Sequence, residues 1–324
     1  MKNFPSFHRF ICGFVAVCAI APWAGGPLPL RADEPSASTV ATAHPRLFAS
    51  PDEAIQALKA ATKAKDKAAL HEIFGPQVHE LLSGDKVQDA TEFASFAKAI
   101  AQMCNPVHEG DDKIVLYIGG ENWPFPIPLV KQNGQWFFDT ASGKEEILNR
   151  RIGEDELTAI GVCHAYVVAQ REYASEDRAG DGVLKYAQKF MSTPGKKDGL
   201  YWDPVGNEPL SPFGPLVAQA REEGYGPNHQ KGQPHPFHGY IFKILKAQGP
   251  AAPGGAYNYI INGNMIAGFA LVAYPSRWGA SGIMTFIVNQ EGKVYQANLG
   301  ENTAGLAAAM TDFNPDSQWT MVKE

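Results

Sequence analysis

Twice along this chain of 324 residues the spacing of apolar side chains switches from every third or fourth position to every second. Each switch restricts that stretch to helices followed by an antiparallel sheet. In "SPDEAIQALKAATKAKDKAALHEIF", Ile55, Leu58, Ala61 and Ala64 share one helical face. Ser50 can cap this helix, Pro51 suits its first position and Glu53 completes a capping box. "DATEFASFAKAIAQMC" repeats the pattern through Phe93, Phe96, Ala97, Ile100 and Cys104, with Asp89 as the expected cap. "DKIVLYIGG" and "IPLVKQNGQWFFDT" then read as strands, and Asn133-Gly134 is a strong signal for a two-residue hairpin turn.

The second switch follows a helix expected from about Glu154 to Ser175, with Leu157, Ile160, Val167 and Val168 as its apolar stripe. Residues 191–238 are rich in Pro and Gly and hold one short helix at most, in "SPFGPLVAQAREEG". Four strand-like runs close the chain: "HGYIFKILKAQ", "MIAGFALVAY", "SGIMTFIVN" and "KVYQANL". The last two are joined by a four-residue turn bounded by Asn289 and Gly292. The expected fold class is therefore α+β in two domains. Residues 48–149 form helices on a curved, cone-like antiparallel sheet, and residues 150–324 form one long helix packed on a four-stranded antiparallel meander.

Lys2 and Arg9, the apolar run "FICGFVAVCAIAPWAGG" and the small Ala32 follow the layout of a secretory signal peptide over residues 1–32. The strongly apolar part, from Phe10 to Ala21, is shorter than the roughly twenty residues that span a bilayer. Residues 33–47, rich in Ala, Ser, Thr and Pro, read as a flexible leader. Cleavage after Ala32 leaves 25 basic and 34 acidic residues, a net charge of −9. Such a chain repels a phosphate backbone, so nucleic acid is not an expected partner. The expected location is the periplasm or the exterior of a Gram-negative bacterium, with no transmembrane span after cleavage.

Long motifs carry a family resemblance over nearly the whole expected mature chain: "WPFPIPLV", "WFFDTASGKEEILNRRIGEDEL", "AQGPAAPGGAYNYIINGNMIAGFALVAYP" and "GIMTFIVNQEGKVYQANLG". They resemble the exported bacterial family known as domain of unknown function 2950, which implies export and no assigned activity. Residues 50–140 are similar in element order to the nuclear transport factor 2-like cone. Residues 155–300 are similar to the soluble part of type II secretion pseudopilins, with "AQREYASEDRAGDGVLKYAQ" and "GLYW" in the place of the helix end and its turn. Pseudopilins begin with a membrane-spanning helix, which this mid-chain helix is not, so pilus assembly does not transfer.

Candidate chemistry is sparse. A cone interior can enclose a ligand pocket, which Trp123, Phe125, Trp136 and Phe137 would line, with Asp139 or Glu121 as acid or base at its mouth; the same aromatics can equally fill a core. His229, His235 and His238 in "NHQKGQPHPFHGY" are either zinc or copper ligands or members of a solvated loop. Glu176, Asp177 and Asp181 fail the EF-hand pattern, since Ala179 and Gln188 stand where ligands are required, and leave either a weak calcium loop or a decorated helix end. No G-x-S-x-G surrounds Ser281, and Cys163 and His164, adjacent on a helix, point apart. Cys104 and Cys163 are either free or bridged. Arg150 and Arg151 beside Glu145, Glu146 and Glu154 form a mixed-charge segment. No cofactor is implied and no enzyme class is indicated. The expected function is a non-catalytic structural or interaction module with an unidentified envelope partner; the alternative is a small-ligand-binding protein or enzyme using a pocket in the cone-like domain.

Overall fold

Ser50 accepts a hydrogen bond from the Glu53 amide at 3.2 Å, and the Glu53 carboxylate reaches back to the Ala49 amide at 3.1 Å, so helix α1 (Pro51–Ala64) starts where the capping residues place it. This computed structural model describes residues 44–226 and 235–323. The expected signal peptide and most of the leader lie outside the described residues. The chain packs as two compact units, residues up to 82 with 92–147, and residues 83–91 with 148 onward.

In the first unit, α1 buries Ile55 and Leu58, and α2 (Lys67–Phe74) adds Leu70, Ile73 and Phe74 to the same core. A 3₁₀ turn (Pro76–Leu81) precedes α3 (Lys86–Gln102), which buries Phe96 and Ile100. The sheet consists of β1 (Cys104–His108), β2 (Lys113–Ile118), β3 (Trp123–Pro124), β4 (Leu129–Gln132) and β5 (Gln135–Phe138). Its order is β1-β2-β4-β5, with β3 also on β2, and every pairing is antiparallel. Asn133 and Gly134, at φ of 51° and 81°, join Gln132 to its register partner Gln135, the backbone sign a two-residue hairpin requires. Cys104 differs from expectation: it opens β1 rather than ending a helix, because Pro106 biases the preceding chain toward extended backbone.

Helix α4 (Thr140–Ala174) begins fourteen residues before its expected start, since Gly143 and Gly153 weaken a helix without breaking it. Its residues from 148 onward belong to the second unit, where Tyr166 donates to the Ala270 carbonyl at 3.2 Å and packs edge-on to Phe269. After the short α5 (Gly214–Glu222) come β6 (Tyr240–Leu245), β7 (Ala247–Gln248), β8 (Tyr257–Asn258), β9 (Ile260–Ile261), β10 (Asn264–Met265), β11 (Ala270–Pro275), β12 (Thr285–Asn289) and β13 (Val294–Ala297). Helix α6 (Thr303–Ala309), β14 (Asp312–Phe313) and β15 (Thr320–Met321) complete the chain.

The main sheet runs β15-β13-β12-β11-β6, all antiparallel. The four expected strands form the meander, and β15 adds a fifth at its edge. Every residue of β11 and β12 is buried, because both faces of the sheet are covered. Helix α4 lies on one side; Lys243 of β6 donates to the Ala308 and Met310 carbonyls at 2.6 Å, and β14 joins a small sheet in the order β14-β7-β8. A strand covered on both faces carries a continuous apolar run, which is what "ALVAYP" provides.

Gly282 is required by close packing. A Cβ there would stand 2.1 Å from the Tyr240 hydroxyl, which donates to the Met284 carbonyl at 2.8 Å from a fully buried ring. Gly282→Ala is expected to destabilise the second unit by about 2–4 kcal/mol through overpacking and loss of that hydrogen bond. Urea unfolding followed by tryptophan fluorescence measures the shift in midpoint.

Candidate functional site

Of the aromatic residues expected to line a pocket, Phe125 and Trp136 are buried in the first unit's core. Phe125 stacks on Phe96 at 5.2 Å and meets Phe74 at 6.1 Å, while Phe74 lies 5.5 Å from Phe138. Trp136 is buried, exchanges two backbone hydrogen bonds with Phe48 and carries the Lys131 ammonium 5.9 Å over its ring. Trp123 is half-buried against the same cluster, Phe137 is half-buried, and Glu121 is exposed in the turn after β2. Asp139 caps α4: its carboxylate accepts from the Ser142 amide at 3.2 Å and from the Ser142 hydroxyl. The expected acid is thus engaged at a helix end.

Of the three expected imidazoles, His229 lies outside the described residues. His235 is exposed. His238, at φ 46°, places Nε2 2.6 Å from a Glu223 carboxylate oxygen. Among the described residues, no three His, Cys, Asp or Glu side chains are grouped to hold a metal ion. Asp177 accepts from the Gly180, Asp181 and Gly182 amides, which hold its carboxyl below the usual range, the Gly182 bond foremost. Asp181 pairs with Lys185. These acids build a turn after the helix.

Cys104 and Cys163 are free thiols. Burial alone pushes Cys163 up to about 12, which leaves almost no thiolate at neutral pH for nucleophilic attack.

A constellation that local pattern did not reveal lies in the second unit. Asp85, rather than Asp89, caps α3: one carboxylate oxygen accepts from the Val87 and Gln88 amides at 3.0 and 3.2 Å. The other accepts from the Tyr225 hydroxyl at 2.9 Å and the Gly239 amide at 3.3 Å. Tyr225 in turn accepts from the His238 amide at 3.1 Å. Asp89, one turn along, takes the Ser83 amide at 2.9 Å and the Ser83 hydroxyl at 2.8 Å. Gln88 donates to Asp155 at 2.6 Å. Asp85, Gln88, Asp89, Arg151 and Asp155 are all buried, so Arg151 of the mixed-charge segment belongs to this interior. Gly239, at φ 70°, leaves no room for a Cβ, which would stand 2.6 Å from an Asp155 carboxylate oxygen.

Burial raises the Asp89 pKa, opposed by the Ser83 hydrogen bonds and the Arg151 guanidinium. Burial, with the Asp85 charge, also raises the Tyr225 hydroxyl, which stays protonated and donating. Four donors from its own chain occupy the two oxygens of Asp85. The arrangement is chemically a hydrogen-bonded anchor. Ser83-Gly84-Asp85 ahead of a helix is a legible capping signal, with Gly84 at φ 87°; nothing local marks Tyr225 or Asp155 as its partners.

The family model described as a protein of unknown function, DUF2950, matches residues 45–322. The chain belongs to this family. No curated protein and no solved structure matches it. Among the described residues of this DUF2950 protein, no helix is long and apolar enough to cross a membrane.

Two outcomes are expected of the DUF2950 anchor. Asp85→Ala removes the cap and leaves the Tyr225 hydroxyl without its acceptor, a loss of about 3 kcal/mol, whereas Tyr225→Phe costs about 1 kcal/mol; urea midpoints of the two variants separate these effects. Asp89 has a folded-state pKa above its ordinary 3.8, so the stability it contributes is present in acid and is lost as pH rises through the folded value. Asp89→Asn removes that loss. The stability of wild type relative to Asp89→Asn should therefore fall as pH rises from about 3.8 to neutrality, as read from unfolding midpoints across that range.

Proposed function

We propose that this DUF2950 protein is exported to the periplasm or the cell exterior of a Gram-negative bacterium and acts there as a non-catalytic structural or interaction module for an envelope partner. The observation that carries the reading is the engagement of the acid groups best placed for chemistry. Asp85 caps α3 and holds Tyr225, Asp89 holds the Ser83 amide and hydroxyl, and Asp139 caps α4. The aromatics that would have lined a pocket, Phe125 and Trp136, are buried in the first unit's core, with Trp123 half-buried against it. The order of positive, apolar and small residues in residues 1–32 supports export.

Fractionation of a Gram-negative host expressing the whole chain tests the location, and affinity capture from the periplasm tests the role. Mature protein beginning at Asp33 is expected in the periplasmic fraction, with the same envelope protein recovered in repeated captures. Retention of residues 1–32 on a cytoplasmic product overturns export. A sugar, lipid or aromatic acid that raises the melting temperature of wild type but not of a folded Trp136→Ala variant overturns the non-catalytic reading in favour of a ligand site.

A further inference from the structure

Between α1 and α2 of the first unit the chain runs Lys63-Ala64-Lys65-Asp66-Lys67-Ala68, an unbroken run of exposed residues that forms a protruding corner. Lys59, one turn before Lys63 on α1, adds a half-buried lysine to it. None of these lysines is in an ion pair among the described residues. Asp66, the one acid in the run, accepts from the Ala69 amide at 3.0 Å as the cap of α2. Asp52 and Glu53, at the far end of α1, lie about 15 Å from Lys63, roughly twice the screening length in physiological salt.

Two of these lysines stand against local preference. Lys65 closes α1 at φ 53° and ψ 35°, the left-handed position that favours glycine or asparagine. Lys67 is the first residue of α2, where a cation adds to the positive end of the helix dipole, and no acid within that first turn offsets it. Lys63 needs no such account, since a cation in the last turn of α1 suits its dipole. Positive charge held where it costs the fold, with no ionic partner in its own chain, points to an anion outside it. The form of the patch selects among anions. Residues 59–68 include no arginine and no aromatic side chain, so the patch has neither the planar fork that grips a single phosphate nor a ring on which a base stacks. Ammonium groups on flexible stems suit a diffuse layer of phosphates instead. A nucleic acid presents such a layer, but it runs on past the patch along a chain whose expected mature net charge is −9. A bilayer is a plane that a protruding corner touches by itself, with Asp52 and Glu53 beyond the screening length.

We infer that the corner made by Lys63, Lys65 and Lys67, with Lys59 beside it, docks the first unit on an anionic lipid bilayer through the headgroup phosphates. The contact is peripheral, since the corner carries no large apolar side chain to insert and, among the described residues, no helix is long and apolar enough to cross a membrane. Each lysine near an anionic surface strengthens the partition about fivefold, so the docking is reversible and sensitive to salt. It goes beyond the function proposed above and holds whether or not an envelope protein is also bound.

Co-sedimentation with lipid vesicles tests the docking. The mature chain from Asp33 is used, because it keeps every described residue and lacks the apolar run of residues 1–32, which would bind lipid by itself. At about 0.1 M salt it is expected to bind phosphatidylethanolamine vesicles containing about a quarter phosphatidylglycerol at least tenfold more tightly than neutral phosphatidylcholine vesicles. At about 1 M salt, where the screening length falls to about 3 Å, binding should disappear. Lys65→Gly combined with Lys67→Glu removes one positive charge and reverses another, which should weaken binding about a hundredfold. Both changes suit the local backbone and dipole, so the urea midpoint of this variant is expected at or above that of wild type, which separates lost docking from lost folding. Lys63→Gln, a single exposed substitution, should weaken binding about fivefold. Equal binding to neutral and anionic vesicles, binding that persists at high salt, or binding unchanged in these variants overturns the inference. So does tighter binding to duplex DNA than to anionic vesicles at equal phosphate concentration, which would assign the corner to nucleic acid.

Discussion

A carboxylate buried as deeply as Asp85 needs hydrogen-bond donors, and the donors it receives tie together the segments of the second unit. Asp85 brings together the first turn of α3, the Tyr225 hydroxyl and the Gly239 amide on one side chain. Without those donors a carboxylate at 1% exposure would cost several kcal/mol to bury. The requirement extends outward: Gly239 has no side chain because Asp155 occupies that space, and the chain folds so that the His238 amide reaches Tyr225. Four chain segments meet at these acids.

The same constraint separates anchoring from chemistry. A general acid or base needs an exchangeable proton facing a substrate, whereas Asp85 and Asp139 direct their lone pairs at backbone amides and hydroxyls of their own chain. Cys163 follows the same logic by another route, since a fully buried thiol held near 12 fills space as a small apolar side chain would.

Helix α4 shows how a correct periodicity can be assigned to the wrong face. Leu157, Ile160, Val167 and Val168 are all apolar and all helical, yet they fall on two different sides, one facing the sheet and one facing out. Apolar spacing alone does not distinguish an inward stripe from an outward one when both are present. The buried set was recognisable only once Tyr166 was seen to reach Ala270 and Phe269.

The sequence by itself determined the α+β class, the cap of α1 at Ser50, the Asn133-Gly134 hairpin and the Gly292 turn, because each is written within a few neighbouring residues and read through local backbone preference. It also placed the chain in its family through long contiguous motifs. Tertiary structure alone decided that β11 and β12 are covered on both faces, that α4 runs unbroken from Thr140, and that Asp85 meets Tyr225 and Gly239 while Gln88 meets Asp155. Those partners lie 140, 154 and 67 residues apart. Contacts across such separations are set by how elements pack, which no local spacing of residue types encodes.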